Sequence, residues 1–166
     1  MGIAMPDQIR QRDDRLIGVI SDTHGLVRAE AIVALRGVDL IIHAGDVGSP
    51  DVLEKLREVA PVIAIRGNVD RGPWASALPE TEVVKANGAF IYVIHNIQEL
   101  DLDPEAAGFK VVIFGHSHKP SIEYRDEVLF LNPGSAGPRR FRLPIALALL
   151  RARRKSFDAE IVELSL

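Results

Sequence analysis

Leu16-Ile17-Gly18-Val19-Ile20-Ser21-Asp22-Thr23-His24-Gly25 is the stretch that decides the reading of this chain. It is a short apolar run, rich in β-branched residues, that ends in two side chains able to ligate a metal. Runs of this kind read as buried strands. The same pattern recurs four times. Residues 40–42 lead into His43-Ala44-Gly45-Asp46, and residues 62–65 lead into Arg66-Gly67-Asn68-Val69-Asp70. Residues 90–94 lead into His95-Asn96, and residues 111–114 into Gly115-His116-Ser117-His118. In open α/β sheets ligands bind outside the carboxyl ends of the strands. Seven side chains, Asp22, His24, Asp46, Asn68, His95, His116 and His118, are therefore expected to converge on one edge of one sheet. Seven oxygen and imidazole ligands exceed one tetrahedral ion. They suit two adjacent metals that share a bridging carboxylate.

Each motif has an ordinary reading when taken alone. Asp22 and His24 could be a turn aspartate and a surface histidine. Gly45 to Gly48 could be a simple turn, and Asn68 could bond only its own backbone. Gly115-His116-Ser117-His118 is the strongest piece, because two imidazoles one residue apart can address two neighbouring ions. The order of the motifs, and their shared position at strand ends, favours a metal centre. His43, inside an apolar strand, reads as a structural group behind the ligands, and Asp70 as a turn or helix-capping residue.

The rest of the chain narrows the function classes. At 166 residues it fits one domain, long enough to bury about 70% of its unfolded surface. Twenty Lys and Arg against 23 Asp and Glu leave a net charge of −3, so nucleic acid is not expected as a stable partner. With no cysteine, disulfides and thiolate sites are excluded and any metal must be held by nitrogen and oxygen. No apolar stretch approaches the roughly 20 residues of a membrane helix, and the N-terminus lacks an apolar signal core. A cytoplasmic location without membrane partners is the expectation.

Residues 1–14 are polar and expected to form a flexible segment, followed by one domain over residues 15–166. Within it the order predicted is strand, helix, strand, helix, strand, with helices over residues 27–35 and from Pro50 to the region of Val59. Asn87-Gly88 is a strong hairpin signal between residues 82–85 and 89–94. A short helix is predicted at residues 104–107. Strand pairs are predicted over residues 121–125 with 128–131, and over 144–150 with 157–164. The second half thus reads as mostly antiparallel β, and the whole as two packed sheets with helices outside.

Asp22-Thr23-His24, Gly45-Asp46, Gly67-Asn68, His95 and Gly115-His116-Ser117-His118, in that order, resemble the motif series of calcineurin-like metallophosphoesterases. The chain is most similar to the small prokaryotic phosphodiesterase branch, and Asn132-Pro133-Gly134-Ser135 resembles a turn of that branch. The resemblance implies an α+β fold, an α/β/β/α four-layer sandwich of two mixed β-sheets flanked by helices. It implies a first metal on Asp22, His24, Asp46 and His118 and a second on Asp46, Asn68, His95 and His116. Asp46 would be the bridge and the catalytic residue that positions a metal-bridging hydroxide. The implied cofactors are two divalent ions (manganese, iron, zinc or nickel, with manganese favoured). The implied activity is hydrolysis of a small-molecule phosphate ester, a diester in preference to a monoester, and homodimers occur among similar proteins. Two departures stand out. Where many relatives carry a His after the Gly-Asn pair and an Asp three residues past the bridging Asp, this chain has Val69 and Ser49. Where they read His-Gly-His, it has His95-Asn96-Ile97. Without that His–Asp pair the activity is expected to favour good leaving groups. A catalytically silent metal-binding scaffold, as in a retromer subunit of this fold, is the alternative. Arg71, Lys119, Arg139 and Arg140 lie near the motif loops, where they could hold phosphate.

Overall fold

A computed structural model describes residues 14–154 and 156–166. Its first strand, β1 (Asp14–Ile20), shows why the opening run is apolar throughout. Ile17 and Val19 face one cluster and Leu16 and Ile20 another. Successive strand residues point to opposite faces, so a strand covered on both sides needs apolar residues in both phases. The remaining strands are β2 (Leu40–His43), β3 (Val62–Ala64), β4 (Thr81–Ala86), β5 (Ala89–Ile94) and β6 (Phe109–Ile113). They continue with β7 (Ser121–Arg125), β8 (Val128–Asn132), β9 (Ala146–Arg153) and β10 (Phe157–Glu163). The helices are α1 (Ala29–Ala34), α2 (Pro50–Arg57) and α3 (Pro73–Ser76).

The strands form two mixed five-stranded sheets, ordered β10-β9-β1-β2-β3 and β4-β5-β6-β8-β7. In the first, β1, β2 and β3 run parallel while β9 and β10 return antiparallel beside β1. Between the sheets lies one apolar layer, in which Ile17, Val19 and Ile42 meet Ile91, Val111, Ile113 and Leu131. Burying each such side chain contributes about 1.5–3 kcal/mol. The helices cover the outer face of the first sheet, where Ile20, Ile41 and Leu147 pack on Ala31 of α1, on Leu35 at its C-cap and on Val52, Leu53 and Leu56 of α2. The outer face of the second sheet, with Tyr92, Val112, Phe114 and Phe130, is covered instead by Ile97, Leu100 and Leu102. Its outermost layer is thus a 3-10 turn at Ile97–Glu99 and irregular chain.

Several expectations need correction. The seven predicted ligands come from two sheets rather than one: Asp22, His24, Asp46 and Asn68 follow β1, β2 and β3, whereas His95, His116 and His118 follow β5 and β6. The second half is less antiparallel than its hairpin signals suggested, because β5–β6 and β6–β8 pair in parallel. The helix predicted at residues 104–107 is a hydrogen-bonded turn, with Asp103 Oδ1 accepting from the N–H groups of Glu105 and Ala106. An aspartate that captures nearby N–H groups competes with helix formation. The expected flexible segment 1–14 lies outside the described residues except for Asp14, which opens β1. The hairpin at Asn87-Gly88 is as predicted, with φ 51° and 80° supplying the left-handed pair that a two-residue turn requires. Among the described residues no helix is long and apolar enough to cross a membrane.

Candidate metal centre

The parallel order β1-β2-β3 places three strand ends side by side, and the loop after each donates ligands. Asp46 follows the middle strand, between Asp22 and His24 after β1 and Asn68 after β3. From the second sheet, the neighbouring strands β5 and β6 bring His95, His116 and His118 to the same place. Asp22 is fully buried. Its Oδ2 accepts from Ser21 Oγ at 2.6 Å and from the His116 N–H at 3.1 Å. Its Oδ1 has no hydrogen-bond partner and lies 3.3 Å from His118 Nε2 and 3.9 Å from both His24 Nε2 and His95 Nε2. Asp46 is arranged alike. Its Oδ1 accepts from the Val69 N–H at 3.0 Å, and its Oδ2 lies 3.2 Å from His95 Nε2 and 3.8 Å from His24 Nε2. Asn68 Oδ1 accepts from His116 Nδ1 at 3.2 Å, and the His116 ring stands edge-on to His95, centroids 5.3 Å apart.

The structure therefore brings all seven predicted side chains together. The donor atoms of Asp22, His24 and His118 form one group within 4.8 Å of one another, and those of Asp22, Asp46 and His95 form a second. His95 supplies the sharpest indication of what belongs between them. Its Nδ1 donates to the Ala44 carbonyl at 2.7 Å, so in the neutral ring Nε2 presents a lone pair to the carboxylates. Two acceptors facing each other in a buried site need a positive charge. Burial opposes protonation of His95, but the Asp46 and Asp22 carboxylates outweigh it and raise the pKa. Burial likewise opposes ionisation of Asp46, yet the His95 imidazole, the Val69 N–H and His24 hold its carboxyl down to about 2. Orphaned Asp22 Oδ1 and His95 Nε2 atoms, and this charge arrangement, fit divalent cations bound at the cluster.

The ligand loops are tightly specified. Five of the seven residues have left-handed backbone: Asp22 (φ 56°), His24 (47°), Asp46 (55°), His116 (71°) and His118 (64°). For L residues this costs about 1–2 kcal/mol each and persists only where the surroundings over-determine it. Here the Asp22 and His24 N–H groups donate to the Gly45 and Asp46 carbonyls, both at 3.0 Å. Two motif glycines serve close approach. A Cβ on Gly67 would overlap Asp46, and one on Gly115 would overlap Ser21 Oγ and lie 2.6 Å from Asp22 Oδ2.

A supporting set of residues was not predicted to have these roles. Asp70 is buried and accepts from the N–H groups of Val47, Gly48 and Gly67, joining two ligand loops. Its expected turn role is thus correct but local only in part. Ser21 orients Asp22. Asn132 Nδ2 donates to the Gly115 carbonyl and to Ser117 Oγ, while Ser135 Oγ donates to the Asp22 carbonyl. The Asn132–Ser135 turn therefore braces loops from both sheets, and its four-residue signature was the available signal. His43 has the structural place expected of it: Nδ1 accepts from the Gly45 N–H, and Nε2 donates to Thr23 Oγ1, which donates to the Val47 carbonyl. Arg71, Lys119, Arg139 and Arg140 are all exposed. Beside Asn68, His95 and His116 opens a groove of about 470 Å³.

Comparison with known proteins identifies relatives of this chain. A probable metallophosphoesterase of Methanothermobacter thermautotrophicus is 37% identical over 159 residues, covering 89% of this chain and 91% of that protein. A phosphodiesterase of Methanocaldococcus jannaschii is 26% identical, covering 89% of this chain and 99% of that protein. The same fold occurs in Vps29 of Entamoeba histolytica, solved in complex with zinc, at 23% identity and a TM-score of 0.69 over 89% of this chain and 98% of that one. Residues 16–155 match the family model of the calcineurin-like phosphoesterase superfamily domain, and with its motif residues gathered at the facing ends of two mixed sheets the chain belongs to that superfamily.

Proposed function

We propose that the protein is a dinuclear metal-dependent phosphodiesterase. Asp22, His24, Asp46 and His118 would hold one cation, and Asp46, Asn68, His95 and His116 the other. The observation that carries this reading is the buried, unpartnered pair of acceptors, Asp22 Oδ1 and His95 Nε2, at the centre of the cluster. The bridging role is assigned to Asp46 because it follows the middle of three parallel strands and its Oδ2 faces His24 on one side and His95 on the other. When bound, two divalent cations supply Lewis acidity toward the phosphoryl oxygens and a nucleophile at neutral pH. Manganese is the ion proposed first. The chain's own residues then fix where that chemistry acts. Ser21 and the His116 N–H hold one oxygen of Asp22, and the Val69 N–H holds one oxygen of Asp46, so that the remaining oxygen of each faces the centre. Ala44 fixes the tautomer of His95.

Val69 and Ser49 offer no titratable side chain to protonate a leaving group, which favours esters with acidic leaving groups. Metal content and turnover after manganese loading test the reading together. Two ions per chain, with aryl diesters hydrolysed far faster than alkyl esters, is the expected result. Stoichiometric metal without turnover on any ester would establish the scaffold reading instead, and one ion per chain would remove the bridge.

A further inference from the structure

The groove beside the metal centre carries the wrong charge for an enzyme that binds only anions. It runs from Asn68, His95 and His116 along Tyr92 and Ile94 to a rim bearing Glu80, Glu99 and Asp101. Its one guanidinium, Arg66, is paired with Glu80 at 3.1 Å. Glu99 and Asp101 are exposed and make no ion pair among the described residues. At the inner end His95, with a side chain 6% exposed, presents the unpartnered Nε2. The groove is thus continuous with the metal cluster, apolar along Tyr92 and Ile94, and net negative at its outer end.

We propose that this groove receives one ester arm of the substrate and selects an arm that is positively charged, as in the phosphodiester of a quaternary or primary amino alcohol. The inference rests on the phosphodiesterase reading and names the substrate class for it. Cations held on the seven ligands would meet the phosphate anion, whereas the arm meets three carboxylates and one guanidinium. A cationic arm gains Coulomb attraction there, a neutral arm gains only the apolar contact, and an arm carrying a further phosphate is repelled. For a solvent-wetted groove of net charge −2, attraction at a separation of roughly 6 Å corresponds to about a tenfold preference.

Two esters with one leaving group isolate the effect. p-Nitrophenyl phosphocholine and p-nitrophenyl 3,3-dimethylbutyl phosphate differ in charge but hardly in shape. With the manganese-loaded full chain at low ionic strength, kcat/KM is expected to be about tenfold higher for the choline ester. The ratio should shrink as salt rises. It should fall toward one in the Glu99→Gln/Asp101→Asn double variant and stay near tenfold in Glu54→Gln, an exposed charge change on α2. Equal rates on the two esters in the unmodified protein, or a preference that survives the double variant, would overturn the proposal. Calorimetric binding of phosphocholine against 3,3-dimethylbutyl phosphate gives the same comparison without turnover. Tighter binding of phosphocholine with no hydrolysis of either ester would keep the groove assignment and sink the phosphodiesterase reading. Hydrolysis of both esters at one rate, with equal binding of both phosphates, would do the reverse.

Discussion

Two aspartates in this chain sit close to one centre and do opposite work. Asp46 turns one oxygen toward His24 and His95, while both oxygens of Asp70 are taken by three backbone N–H groups, at 2.9 to 3.1 Å. Asp46→Asn is therefore expected to lower turnover by several orders of magnitude, because the amide cannot bridge cations. Asp70→Asn is expected to act on stability instead. It loses charge-assisted bonds worth about 1.5–3 kcal/mol each and turns an amide donor toward a backbone donor. Urea unfolding and turnover measured on both variants check this, and equal turnover losses would show that the bridge is misplaced. The contrast also marks what could be read residue by residue. Ligands such as His116 and His118 were legible because each follows an apolar run, so position along the chain predicts position at the sheet edge. Asp70 was legible only as a turn residue, because two of its three partners are backbone N–H groups of another loop that no motif marks.

The elements that place the site came through more clearly than those that cover it. Strands β1, β2 and β8 lie close to where the apolar runs put them, and both ends of the Asn87-Gly88 hairpin agree. α3 and the 3-10 turn at Ile97–Glu99 were not anticipated, since elements of four and three residues carry too little periodicity to stand out. The parallel pairing of β5 with β6 was hidden for another reason. Its crossover, residues 95–108, contains no regular helix to announce it. At this scale α2 offers a test of the missing proton donor. Ser49 occupies its N-cap but makes no side-chain capping bond. Ser49→Asp should stabilise the protein by about 0.3–1 kcal/mol through the helix dipole. Together with Val69→His it should flatten the dependence of rate on leaving-group pKa. Proton donation is worth about 10²–10⁴-fold, so alkyl esters should gain most. Rates across a series of aryl and alkyl esters give the slope, and an unmodified protein with a slope near zero already would mean that another residue supplies the proton or that chemistry does not limit the rate.

For the molecule as a whole, His43 makes the metal-free fold sensitive to acid. Burial lowers its pKa from 6.5 to about 4, although the carboxylates of Asp22 and Asp70 pull upward. Protonating Nδ1 would set a new donor against the Gly45 N–H that now donates to it. Since the folded pKa lies below the unfolded one, the unfolded chain takes up the proton first. The stability that His43 contributes is therefore full above about pH 6.5, falls by about 3 kcal/mol as pH drops to about 4, and is lost no further below that, while the raised pKa of His95 offsets part of the fall. Urea midpoints of chelator-treated protein across this range check this: the difference between the unmodified protein and His43→Leu, which is expected to be less stable throughout, should narrow as pH falls from 6.5 to 4. The sheet order has a consequence of a different kind. β1 lies between β2 and β9, so the first element made in the described chain waits for one of the last before both its edges are paired. During vectorial synthesis all seven ligands have emerged by residue 118, but the strand that carries Asp22 keeps an open edge until residues 146–153 arrive. A nascent chain would hold all seven ligands on a half-built sheet, so firm metal capture would wait for β9 to pair with β1.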